Sequence, residues 1–433
     1  PAPPSVAAMA ETGIRAKVVA ASAGRDRALD AIKALALLVV IVGHSLAWHT
    51  PGDGTAVNVL EKAAWLIPLT WVFQVLPLFF AAGAVSNAAS LHRHGSHDYL
   101  TARGRRLLAP VIVYATLWTV LLVPFGSSEA VVGAGRFLAQ LLWFAGVYLL
   151  VAAAAVVTSR WVSRPGLTLT LWLALIVAVD AVRTTQFSAW GWINMLLVWG
   201  WLHQVGYHLP HLRGRRWTVP AGIVLIAGAV LLAFIGPYSH SLISVAGVPG
   251  LSNLAPPSTV LAVYGAGQIL IVAGLWNRLR ALLADDRRWV PVALMGARGM
   301  GMYLWHIPLV GIAAGLALIV GFSAPALSPA WWVVHVAVVL VVVPGAWLIA
   351  GVAAHPEKAV GRIRFPIWIP GPASVLGGLV ILNIAATGFA TRWGSGAVGL
   401  PSSAVLNLAL LWGSLLMVSG RRSRSAPEGT RSP

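Results

Sequence analysis

Twelve long apolar runs, each close to the length needed to cross a bilayer, leave this chain few ways to fold. They cover approximately residues 28–49, 64–90, 107–123, 137–157, 166–182, 190–206, 217–236, 259–276, 293–320, 331–352, 373–390 and 404–419. A helix needs roughly 20 apolar residues to cross a hydrocarbon core of ~30 Å. Lipid offers the backbone no hydrogen-bond partner, so such runs must satisfy their own polar groups as helices. The expected fold class is all-α, a polytopic transmembrane helical bundle. Only 10% of the residues are charged, against ~25% in soluble domains, so the polar surface of a globular protein is missing. Cysteine is absent, which removes thiolate nucleophiles, disulfide frameworks and cysteine–zinc sites.

The formal net charge of +18 raises the question of nucleic acid, and the distribution answers it. Nucleic-acid binders gather basic residues on a folded soluble surface. Here they fall in short clusters between the apolar runs. With the N-terminus inside and the runs alternating, 26 of the 30 lysines and arginines fall on the inner side. Only Lys62, Arg136, Arg183 and Arg392 fall outside. This bias places both termini in the cytoplasm and ties the inner loops to an anionic leaflet rather than to nucleic acid. Residues 1–24 read as a disordered cytoplasmic tail and residues 420–433 as a basic cytoplasmic tail.

Polar residues inside the runs mark where chemistry is to be sought, because they are costly in lipid. In the first run Asp30, Lys33 and His44 share one helix face. Lys33 and His44 are eleven residues apart, about three turns with ~20° left over and a rise of ~16 Å. Lys33 then lies near one membrane surface and His44 lies deep, where it can act as a general base. A second deep histidine, His306, precedes Pro308 by two residues, and the proline is expected to free a backbone carbonyl there. The segment 92–110 reads as a cytoplasmic loop. Its Arg103 and Arg106 share a face at a spacing of three and suit phosphate, which guanidinium binds with two parallel hydrogen bonds. Topological anchoring explains the same arginines without a ligand. His92, His94 and His97 are spaced like metal ligands, but only Asp98 is nearby and no metal is expected. Asp180, near the outer end of its run, is expected to pair with Arg183.

Five pieces of the chain together carry a resemblance. Leu29, Asp30, Lys33 and His44, with ten residues between the last two, form the first. Pro77–Gly83, Arg103 with Arg106, Leu142–Trp143–Phe144 and Tyr303–His306 follow in order. Over about residues 25 to 350 the chain resembles the acyltransferase family 3 of integral-membrane O-acyltransferases. Lysine stands at position 33 where arginine is commoner in the family. The resemblance implies a ten-span core, here residues 25–352, with two additional C-terminal spans in 353–419.

It also implies transfer of an acyl group, acetyl foremost, from cytoplasmic acyl-coenzyme A to a hydroxyl of a sugar-containing acceptor. The acceptors implied are a cell-surface glycan, a lipid-linked glycan or a natural-product sugar. The site residues implied are His44, Asp30 and His306 for catalysis, and Lys33, Arg103 and Arg106 for the coenzyme A phosphates. The setting is the cytoplasmic membrane of a bacterium, with the lipid bilayer as a partner. Whether His44 is a general base or is transiently acylated stays open. A secondary transporter or lipid-glycan flippase is the competing class, because about twelve spans with both termini inside is also a transporter outline.

Overall fold

The computed structural model describes residues 6–185, 187–389 and 393–420. In chain order the elements are α1 (Val6–Ala21), α2 (Arg27–Leu46), β1 (Trp48–His49), β2 (Val57–Asn58), α3 (Val59–Lys62), α4 (Leu69–Phe73) and α5 (Leu76–Leu122). Then come α6 (Glu129–Ala139), α7 (Leu142–Thr158), α8 (Pro165–Arg183), α9 (Asn194–Gly206), α10 (Leu209–Leu212) and α11 (Thr218–Ile235). The chain closes with α12 (Thr259–Gly274), α13 (Trp276–Leu282), α14 (Asp286–Ala297), α15 (Gly299–Ile319), α16 (Pro329–Arg362), α17 (Pro370–Thr387) and α18 (Ala404–Val418). The fold is the all-α helical bundle that the apolar runs require. Among the described residues β1 and β2 pair through Trp48 with Asn58 and His49 with Val57. Among the described residues eight helical stretches are long and apolar enough to cross a membrane. A ninth is added if α12 and α13, bent by 59°, form one broken span.

Each apolar run is met by helix, but several are interrupted, among them 137–157 between α6 and α7 and 259–276 between α12 and α13. The run 64–90 breaks after α4 at Gln74, whose ψ of 86° is not helical. Pro77 has no N–H and is best accommodated in the first turn of a helix, and α5 begins one residue before it. The break is satisfied locally: Gln268 Nε2 donates to the Gln74 carbonyl at 2.9 Å, and Gln74 Nε2 donates to the Leu242 carbonyl at 2.9 Å. The run 293–320 breaks at Arg298, between α14 and α15. The run 190–206 opens as a 3-10 turn over Ser188–Ile193, and only Asn194–Gly206 is α-helical.

Two segments read as irregular are helical. The stretch 92–110, expected as a loop, lies within α5 and departs from helix only at Gly95, at φ 72° and ψ 170°. Its leucine, alanine and arginine content favours helix, and glycine alone takes the positive φ without strain. The tail read as disordered over 1–24 contains α1, with an alanine-rich sequence of high helix propensity. Just beyond it Ser22 Oγ accepts a hydrogen bond from Trp289 Nε1 at 2.9 Å. Of the expected basic tail 420–433, residues 421–433 lie outside the described residues.

The chain divides into two compact units, one of residues 1–92 and 154–352, the other of residues 93–153 and 353–433. Residues 93–153 thus group with the C-terminal helices. In the first unit α2 packs on α14 and α15, and α11 packs along α12. That last contact depends on two glycines facing each other. A Cβ on Gly222 would meet the Gly267 carbonyl oxygen at 2.6 Å, and one on Gly267 would meet the Gly222 oxygen at 2.8 Å. Small residues allow such close helix contact in membranes.

The first unit also holds a closed polar cluster. Asp180 accepts from Arg183 Nη1 at 2.9 Å, Asn194 Nδ2 at 3.0 Å, Tyr238 Oη at 3.1 Å, and both the backbone N and Oγ1 of Thr259 at 2.7 Å. Arg183 also donates to the carbonyls of Pro257 and Ser252. The expected Asp180–Arg183 pair is therefore present, with further partners around it. In the second unit Arg105 donates to Ser419 Oγ at 3.0 Å and to its carbonyl at 3.2 Å. Asn383 Nδ2 donates to Asn407 Oδ1 at 2.9 Å, between α17 and α18.

Candidate active site

The site is organised along α2. Asp26 caps this helix, accepting from the Leu29 N–H at 3.2 Å. One turn on, Asp30 forms an ion pair with Arg25 at 2.7 Å. Lys33 Nζ donates to Ser86 Oγ on α5 at 2.6 Å. His44 stands at the other end of α2, about 21 Å from Asp30 at ~1.5 Å per residue.

There the two histidines singled out in the sequence meet. His44 Nδ1 lies 3.1 Å from His306 Nε2, with ring centroids 5.3 Å apart. His306 is fully buried, whereas His44 keeps partial exposure. His306 is fixed from its own helix, with Nδ1 3.2 Å from the Met302 carbonyl one turn back. Pro308 remains inside α15. It has no N–H to offer the Leu304 carbonyl, which loosens the backbone beside the histidine.

These contacts fix the tautomers when both rings are neutral. A carbonyl only accepts, so His306 Nδ1 carries the proton and its Nε2 carries the lone pair. His44 Nδ1 must then donate to that lone pair, and His44 Nε2 is left with the free lone pair. The outcome is an imidazole whose basic nitrogen is unencumbered and whose other nitrogen is held by a buried acceptor. This is the arrangement that orients a general base.

The remaining residues proposed from sequence fall elsewhere. Asp30 and Lys33 lie in the first two turns of α2, apart from the histidine pair. Arg103 and Arg106 belong to the second unit, on α5 past its break. The Arg103 guanidinium lies 6.0 Å over the Tyr99 ring, and Arg106 is exposed. Among the described residues no group of three histidine or carboxylate side chains is placed to hold a metal ion.

Asn87, His203 and His335 are among the buried polar residues of the first unit that were not singled out from sequence. Asn87 Nδ2 contacts His203 Nε2 at 3.0 Å, and both residues are buried. His335 places Nδ1 2.8 Å from the Trp331 carbonyl and Nε2 2.9 Å from the Trp48 carbonyl, and its ring stacks on Trp331 at 3.7 Å. The signal was available in each case: a polar side chain inside an apolar run.

Against known proteins, the family model described as an acyltransferase domain matches residues 26–351. That range contains the whole of α2, α15 and the histidine pair. No curated protein and no solved structure matches the chain. With its multiple membrane-crossing helices, the chain belongs to the acyltransferase family 3 of integral-membrane O-acyltransferases.

Proposed function

We propose that the protein transfers an acyl group, acetyl foremost, from acyl-coenzyme A to a hydroxyl of a sugar-containing acceptor. The acceptor is a cell-surface glycan, a lipid-linked glycan or a natural-product sugar. The observation that carries this reading is the hydrogen-bonded pair of His44 and His306, with the free lone pair on His44 Nε2. In the proposed reaction His44 Nε2 takes the proton of the acceptor hydroxyl as its oxygen attacks the thioester carbonyl carbon. The tetrahedral intermediate collapses with loss of the coenzyme A thiolate. His44 returns the proton to that sulfur, so the ester and the free thiol leave together. His306 acts as a positioning residue, accepting from His44 Nδ1 and stabilising the imidazolium while it exists.

Lys33, Arg103 and Arg106 are proposed contacts for the donor phosphates, as guanidinium and ammonium chemistry suits. Asp30 is proposed to support the reaction from a distance, by holding Arg25 and the start of α2 in place. The membrane enclosure favours a dry site in which a neutral imidazole remains a competent base.

The test is transfer by purified protein in lipid vesicles, using acetyl-coenzyme A labelled in its acetyl group and a mixture of lipid-linked and free glycans. Release of free thiol together with label on a glycan ester supports the reading. An enzyme that binds no coenzyme A in calorimetry and releases no thiol with any acceptor would overturn the choice of donor.

A further inference from the structure

A cavity of about 790 Å³ opens at the N-terminal end of α2, within the first unit. Its walls include Arg25, Asp26, Arg27, Arg213, Trp276 and Arg280. Four guanidinium groups thus line it against one carboxylate. Their existing partners are fixed. Arg25 pairs with Asp30, Arg27 with Asp286 at 2.8 Å, and Arg213 with Asp26 at 3.1 Å. Arg27 also donates to the carbonyls of Leu283 and Ala284. Arg280 makes no ion pair or side-chain hydrogen bond among the described residues, and Arg213 Nε is buried with no hydrogen-bond partner. Burial weakens the hold of Arg213 on its proton, Asp26 strengthens it, and the neighbouring charge of Arg280 weakens it again. Cations crowded in this way, with donors unused, present the complement of a multiply charged anion.

The shape is informative as well. The Arg213 guanidinium lies 3.9 Å over the face of Trp276. The indole thus backs the guanidinium, and guanidinium planes serve as stacking surfaces for nucleobases. The cavity lies at the opposite end of α2 from His44, eighteen residues and about 27 Å from Asp26. That separation suits a ligand whose phosphates and reacting group sit at the two ends of one long, flexible chain.

We infer that this cavity binds the phosphorylated nucleotide end of acyl-coenzyme A, with phosphates on Arg280 and Arg213 and the base stacked on the Arg213 plane. The inference rests on the proposed donor and adds Arg280 and Arg213 to its proposed phosphate contacts. An anionic phospholipid headgroup shares the phosphate chemistry and is distinguished by the experiment.

Calorimetry on the purified full chain in neutral detergent would use coenzyme A, adenosine 3′,5′-bisphosphate and pantetheine as separate probes. Arg280 is exposed, so Arg280→Glu should fold. It should weaken binding of coenzyme A and of the bisphosphate by about tenfold to a hundredfold, the usual size of a lost charge-assisted contact, and leave pantetheine unchanged. Arg213→Lys keeps the charge and loses the plane, and should weaken the bisphosphate by a smaller factor. Undiminished coenzyme A affinity in Arg280→Glu would overturn the inference and leave the donor reading intact. Failure of the unaltered protein to bind coenzyme A would overturn the donor reading and this site with it. Displacement of the bisphosphate by cardiolipin micelles but not by coenzyme A would assign the cavity to a lipid headgroup and overturn the inference.

Discussion

One lone pair decides the chemistry proposed for this chain, that of His44 Nε2. Removing the ring should cost what general acid–base assistance is typically worth, so His44→Ala should lower the transfer rate by roughly 10²–10⁴-fold. Membrane insertion should be unaffected, since deleting a polar group from lipid does not penalise folding. Thiol release measured in membranes, with protein amount normalised by immunoblot, checks this, and near-normal turnover would dismiss the assignment. His306 predicts a different pattern, because it acts through its neighbour. His306→Gln retains an acceptor for the His44 Nδ1–H, whereas His306→Leu does not. The glutamine variant should keep the higher kcat, with KM for the donor equal in both variants. Equal kcat values would mean that the hydrogen bond does not matter. Both histidines were legible in the sequence as polar residues deep in apolar runs. Their contact was not, because no periodicity within one helix says which distant helix it will face. The tautomers follow only from the Met302 carbonyl, a backbone group invisible to motif reading.

The helices were legible for a simple reason: lipid permits little else, so apolar length alone specifies them. Their interruptions were less so. A turn at Gln74 is sustained by Gln268 and Leu242, partners that only the folded chain supplies. The helix through 92–110 was obscured because basic and polar residues suggest a loop, while their intrinsic propensity favours helix. The Asp180 cluster shows how such helices are tied to their connecting segments. Asp180 and Arg183 are almost completely buried, at 2% and 4% side-chain exposure. Removing one partner strands the other charge, so Asp180→Ala should cost about 3–5 kcal/mol. The double change Asp180→Leu with Arg183→Met should be milder, because neither charge is then left alone. Thermal unfolding in detergent ranks the two, and the reverse order would contradict the reading.

Tyr238 adds a pH dependence to that cluster. Burial first, and then the Asp180 charge, push its hydroxyl from 10 up to about 12. A raised value favours the protonated form in the folded state. The contribution is therefore full below about pH 10 and is lost as pH climbs toward 12. Tyr238→Phe should flatten the alkaline fall in melting temperature over that window, and an unchanged profile would rule out this origin for it.

For the molecule as a whole, the basic residues predict that the α2 end bearing Arg25 and Arg27 faces the cytoplasm and the β1–β2 hairpin faces outward. The absence of cysteine makes this directly measurable. Ala56 and Ala281 are both exposed. In intact cells, Ala56→Cys should react with a membrane-impermeant thiol reagent and Ala281→Cys should react only after lysis. The opposite pattern would invert the topology. The grouping of residues 93–153 with the C-terminal helices was not legible, because pairing between distant spans leaves no trace in their hydropathy. With Lys33 and Asp26 at one end and His44 at the other, α2 also functions as a ruler. Substitutions along it change side chains, but an insertion changes phase. One extra residue between Lys33 and His44 would turn the histidine by ~100° away from α15 and raise it ~1.5 Å. Seven extra residues would nearly restore the direction, yet lift the ring by ~10 Å past its partner. No insertion in this interval returns both angle and height, so evolution can vary the letters of this segment but not their number.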